Sequence, residues 1–171
     1  MGGRRRRAAR SENGDGRPRD PRDPPEQIRR SRLNAGWEHF DVEADVGVRA
    51  WGPTRAEAFA QAALGVLALI VLPDEVQERE TREVRAQADG PETLLVAWVN
   101  ECLYVHEIEG FVARRAAVLG CTDTLVNGVL HGEPMDLQRH RPGTVVKGAT
   151  MHRAGVGERG GRHEVSLIVD V

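Results

Sequence analysis

Three stretches of this chain carry residue types whose spacing could do chemistry. "DVEADVG" at 41–47 places Asp41, Glu43 and Asp45 at the mouth of an alternating run in which Val46, Val48 and Ala50 share a face. Carboxylates are ordinary turn formers, and on residue type alone the turn is the plainer reading. They are also the oxygen ligands that a hard cation takes. "EVSLIVDV" at 164–171 aligns Val165, Leu167, Val169 and Val171 on one strand face and Ser166, Ile168 and Asp170 on the other. If this last strand runs beside the first, Asp45 and Asp170 meet at one sheet end, beside the terminal carboxylate. Carboxylates that close repel strongly unless a cation or a proton lies between them. "HGEPMDLQRHRPGTVVKGATMH" at 131–152 strings together Glu133, Asp136, Arg139, His140, Lys147, Thr150 and His152. Its plainer reading is a charged connection leading into an exposed strand. Lys147, however, falls inside the apolar-flanked "VVKGAT", where lysine is disfavoured in a strand unless its ammonium has a task.

Other chemistries lack their motifs. No phosphate-binding GxxxxGK[ST], no GxGxxG, no HExxH and no GxSxG occurs. The six histidines (39, 106, 131, 140, 152, 163) have no zinc spacing, and His39 and His106 read as surface or helix-end residues. No nucleophilic triad can be assembled from the order of residues. Cys102 and Cys121 have no CxxC partner, and Cys102 falls on an apolar helix face, as a buried thiol in a reducing cytoplasm would.

The elements that must position these residues show in the periodicity. A first strand is expected near 46–52. "TRAEAFAQAALGVLALIVLPD" then opens with the T-x-x-E capping box of Thr54 and Glu57, repeats Phe59, Ala63, Val66, Leu67 and Ile70 at helical spacing, and closes at Pro73. "TREVRAQA" (81–88) alternates as a half-buried strand. A second helix runs from Pro91 to Gly110 with Leu95, Trp98, Val99, Cys102 and Leu103 on its buried face. Strands are expected near 111–119, 124–132, 144–152 and 163–170. Strands and helices that interleave early and strands that run together later indicate an α+β domain, with a mixed or antiparallel sheet packed on two main helices.

Charge divides the 171 residues in two. Residues 1–35 carry eleven arginines and five acids, a net +6, while residues 36–171 carry a net −8. The first part has almost no apolar residues and four of the nine prolines, so it reads as a disordered basic arm preceding one domain at 36–171. The arm's "RRRR" could touch RNA phosphates, although a solubilising tail is the plainer reading. The acidic globule argues against independent RNA binding. No apolar run follows the arginines as in a signal peptide, and none approaches the length of a membrane span, so a cytoplasmic protein is expected.

"EADVGVRAWGPTRAEAFAQAALGV", "LLVAWVNECLY", "HGEPMDLQRHRPGTVVKGATMH" and the final "VDV" resemble the archease family in order and spacing, over about residues 37–171. "ADVG" alone would be weak; joined to "GEPxDxxRH", "VKGATxH" and an aspartate next to last, it is specific. The resemblance implies a small α+β protein that is not itself an enzyme. It implies an activator of the RtcB-type RNA ligase, which seals RNA with 2′,3′-cyclic-phosphate or 3′-phosphate ends to 5′-hydroxyl ends in tRNA splicing and RNA repair. Archeases promote guanylylation of that ligase and so multiple turnover, meeting RNA only through it.

Carried over position by position, the resemblance assigns a metal site to Asp45, Asp170 and the backbone oxygen of Val171, with Ca²⁺ as the expected ion and Mg²⁺ as the alternative. It assigns partner activation to Lys147 and His140. The chain departs from many relatives at Val42 and Ala97, neither of them a proposed ligand. The other function classes are a metal-dependent hydrolase using Asp45 and Asp170, and an RNA-binding module working through the arm. The missing nucleophile weighs against the first, and the arm's place outside the resemblance against the second.

Overall fold

The computed structural model describes residues 34–171. The basic arm expected at 1–35 therefore lies outside the described residues, apart from its last two positions. Seven strands and two helices follow: β1 (Gly36–Val42), β2 (Asp45–Gly52), α1 (Arg55–Leu67), β3 (Glu80–Gln87), α2 (Pro91–Glu109), β4 (Phe111–Cys121), β5 (Leu125–Pro134), β6 (Gly148–Arg159) and β7 (Arg162–Asp170). They form two antiparallel sheets, one ordered β1-β2-β7-β6 and the other β3-β5-β4. The expectation of an α+β domain holds, with its strands divided between two sheets.

Both helices begin where their caps predict. Thr54 Oγ1 accepts the Glu57 N–H at 3.1 Å and satisfies one orphan donor of α1. Pro91 occupies the first turn of α2, and Gly110 ends that helix at φ 62°, with its N–H donating to the His106 carbonyl. Each helix packs on both sheets: α1 touches β2 and β4, α2 touches β6 and β3. Their apolar faces make one core in which Phe59, Leu94, Leu95, Trp98, Leu130 and Leu167 are buried. The Trp98 indole N–H donates to the Phe59 carbonyl at 2.9 Å, so a large buried side chain also pins the two helices together. The whole face expected on α2, from Leu95 to Leu103, is buried, and burial pushes the Cys102 thiol well above the ordinary range.

Three elements differ from the sequence expectation. α1 ends at Leu67, so Ile70, expected on the helix, lies in the turn after it. β1 precedes the expected first strand and pairs with β2 from Gly36↔Trp51 to Val42↔Asp45. It has a neighbour on one side only and mixes polar with apolar residues on both faces, so no period of two marks it in the sequence. Asp41 is an exposed strand residue, whereas Glu43 lies in the two-residue hairpin loop at φ 38°, the positive φ that such tight loops use. The strand expected at 144–152 begins only at Gly148. Residues 142–147 form a strap instead: the N–H groups of Gly143 and Thr144 donate to the carbonyls of Ile70 and Leu69, each at 2.7 Å.

Candidate functional site

β2 begins at Asp45 and β7 ends at Asp170, on neighbouring antiparallel strands. Their register pairs Val46 with Val169, and the next step outward sets Asp45 opposite Asp170. Val46, Val48, Val165, Leu167 and Val169 pack into the core, so both aspartates stand on the other face of the sheet. On the far side of β7, Asp170 pairs with Gly148, and the Lys147 N–H donates to the Asp170 carbonyl at 2.8 Å. The same sheet end therefore gathers Asp45, Asp170, Val171 and the main chain of Lys147, from segments more than a hundred residues apart.

The residues fit a hard cation in part. Asp45 and Asp170 offer side-chain oxygens from one face of adjacent strands, and among the described residues neither carboxylate is in an ion pair. Among the described residues no group of three or more His, Cys, Asp or Glu side chains converges as a metal cluster. A cation here would have two carboxylates and a backbone oxygen of Val171, a donor set that suits calcium or magnesium better than zinc, with the remaining ligands supplied from outside.

Lys147 is exposed and lies just ahead of β6 rather than inside it. One compositional signal passed unused: of the 24 basic residues in the chain, 23 are arginine and Lys147 is the single lysine. An ammonium is a compact point charge on a flexible stem, a different instrument from the planar guanidinium used everywhere else. β6 is an edge strand, and its first residues are held by the side chain of Asn100 on α2. The Ala149 N–H donates to Asn100 Oδ1 at 2.8 Å, and Asn100 Nδ2 donates to the Ala149 carbonyl at 3.2 Å. The amide takes the place of a missing strand partner and fixes the root of the strap. Beyond it, Met151–Ala154 bulge between the pairs Thr150↔Ile168 and Gly155↔Ser166, with Arg153 at φ 55°.

His140 sits elsewhere, 1% exposed, in the turn between β5 and the strap. Its Nδ1 accepts the Asp136 N–H at 2.9 Å, so the ring proton is on Nε2, which faces Glu133 Oε1 at 2.9 Å. Glu133 is equally buried and also takes the Gln77 N–H and an N–H of Arg139. Burial alone would raise its pKa, but the hydrogen bonds from Arg139, Gln77 and His140 outweigh that and lower it to about 2. With both nitrogens engaged and no exposed surface, His140 does not meet a partner in this conformation; it shapes the turn from which the strap departs.

The fold and this sheet end define a class: a small α+β protein of two antiparallel sheets and two helices, presenting Asp45 and Asp170 on neighbouring strands beside the chain's single lysine. Residues 37–171 match the model of the Archease protein family, and the chain belongs to that family. It is 32% identical over 139 residues to Protein archease of Pyrococcus abyssi, covering 79% of this chain and 98% of that one. It is 36% identical over 121 residues to Protein archease of Thermococcus gammatolerans, covering 68% and 84%. The fold resembles the solution structure of protein 1598 of Methanobacterium thermoautotrophicum, with TM-score 0.68, 28% identity, and 80% and 99% of the two chains covered. A crystal structure of a Thermotoga maritima archease, described as a possible chaperone, shares the fold at TM-score 0.51 and 17% identity, covering 78% and 96%. Among the described residues no helix is long and apolar enough to cross a membrane.

Proposed function

We propose that this archease is an activator of an RtcB-type RNA ligase, acting by binding the enzyme in the cytoplasm rather than by joining RNA itself. The observation that supports this reading is that the backbone brings Asp45, Asp170 and the main chain of Lys147, residues that the family resemblance singles out, to one sheet end. Asp45, Asp170 and the Val171 backbone oxygen would hold a Ca²⁺ or Mg²⁺ ion, whose chemistry is to supply positive charge against a phosphate or a partner's carboxylate. Lys147 contributes a mobile cation beside it, able to pair with an anionic group of the ligase or of its bound nucleotide. Two of the similar proteins are named Protein archease, and the Thermotoga maritima archease is described as a possible chaperone, which accords with work done on another protein.

The test is a ligation assay with RNA bearing 2′,3′-cyclic-phosphate and 5′-hydroxyl ends. This protein alone should join nothing, and at substoichiometric amounts it should restore repeated turnover of its host's ligase. Ligation by the isolated protein, or no effect on the ligase over many turnovers, would sink the reading. The same assay run without ligase detects hydrolysis of the RNA ends, which a metal-dependent hydrolase would show.

A further inference from the structure

The strap that carries Lys147 is also one wall of a groove. Between the strap, α2 and the turn after α1 lies a cleft of about 700 Å³. Ile70, Leu103, Met135 and Val145 give it an apolar lining, with Lys147 and Glu107 as its charged members. Val145 is 78% exposed, far more than an aliphatic side chain needs to be on a strap tied down at Gly143, Thr144 and Lys147. Of the seven exposed large apolar residues among the described residues, Val145 lines the cleft. An apolar lining left open to solvent at its rim is the kind of surface that a docking partner covers.

Resting on the proposed function, we infer that this groove is the affinity anchor for the RNA ligase. It seats an apolar side chain projecting from the ligase surface, while the neighbouring carboxylate end supplies activation. Two observations favour that occupant. The groove is continuous with the carboxylate site, because Lys147 lines the groove and its N–H is bonded to Asp170. Residues 36–171, which form the groove, carry a net −8, and that charge suits an enzyme that must present cationic surface to hold RNA. A division of labour follows. Groove residues set how tightly the two proteins bind, and the carboxylates with Lys147 set what the bound activator does.

The experiment compares wild type, Val145→Asp and Leu119→Asp, the last an equally drastic change at an exposed leucine on β4 outside the groove. Both direct binding to the purified ligase and activation over a titration are measured. Val145→Asp should weaken binding and raise the half-maximal activating concentration at least tenfold, with the saturated turnover rate unchanged; Leu119→Asp should match wild type in both. Equal affinity of wild type and Val145→Asp would overturn the inference, and so would equal weakening by Leu119→Asp. Wild-type protein that binds the ligase in the manner stated yet never activates it would refute the proposed function and leave the groove's role standing. Sedimentation of the protein alone gives the remaining outcome. A wild-type dimer that Val145→Asp makes monomeric would assign the groove to a second copy.

Discussion

Glu133 and His140, seven residues apart in sequence, face each other at 2.9 Å with almost no contact with solvent, and the main-chain N–H of Asp136 decides which imidazole nitrogen carries the proton. The pair organises the turn that releases the strap toward Lys147. A side chain that looks like a candidate for partner contact is thereby turned inward to hold its neighbours.

Removing that carboxylate should be costly. Glu133→Ala would leave the Arg139 guanidinium, the Gln77 N–H and His140 Nε2 without their shared acceptor, and a loss of about 2–4 kcal/mol is expected. Because the folded Glu133 carboxyl is held at about 2, below its ordinary 4.5, its stabilisation is fully present above pH ~4.5 and fades as the pH falls toward 2. Urea denaturation from pH 7 down to pH 2 should show wild type losing stability in that window and Glu133→Gln losing less. Parallel curves for the two proteins would mean that Glu133 is not strongly coupled to its partners.

Lys147 separates charge from chemistry. Lys147→Ala and Lys147→Arg change an exposed residue and should alter unfolding free energy by less than about 0.5 kcal/mol. Both should lower the maximal activation of the ligase, the arginine because its planar fork cannot stand in for a compact ammonium. Normal activation by Lys147→Arg would show that any cation suffices at this position, and normal activation by Lys147→Ala would leave the strap lysine without a task.

The two aspartates should behave as one site. In chelator, Asp170→Asn relieves repulsion from Asp45 across the strand pair and should raise the melting temperature. With Ca²⁺ at a hundredfold excess over its dissociation constant, wild type should gain about 2.7 kcal/mol. Asp45→Asn and Asp170→Asn should each lose most of that gain, and the double variant little more than either. Calorimetry with Ca²⁺ and Mg²⁺ gives the binding directly. Equal cation affinity in wild type and Asp170→Asn would remove the metal from this sheet end.

Gly143 lies where the strap crosses the turn after α1, and a β carbon there would come within 2.3 Å of the Leu69 carbonyl oxygen. Gly143→Ala should push the strap off its two hydrogen bonds to Leu69 and Ile70, at about 1–3 kcal/mol. Hydrogen exchange should report faster opening of the Gly143 and Thr144 amides while the core of α2 stays protected. Unchanged exchange in the strap would mean that the turn yields instead.

The sequence by itself determined what rests on local repetition and local chemistry. The capped start of α1, the Pro91–Gly110 limits of α2 and the buried run Leu95, Trp98, Val99, Cys102 and Leu103 follow from a period of 3.6 and from caps a few residues long. The same holds for the alternation that aims Asp170 away from the core face of β7. Only the tertiary structure decided the rest. β1 exists because β2 offers it a hydrogen-bonding edge, a fact absent from its own residues. The strand expected from residue 144 starts only at Gly148, because the N–H groups of Gly143 and Thr144 are claimed by carbonyls some seventy residues earlier. His140 turns inward because Glu133 and the Asp136 N–H together satisfy both ring nitrogens in a site closed to water. In each case the deciding interaction joins backbone or buried polar groups brought together by the whole chain, and an unpaired group in such a place costs more than any local preference can return.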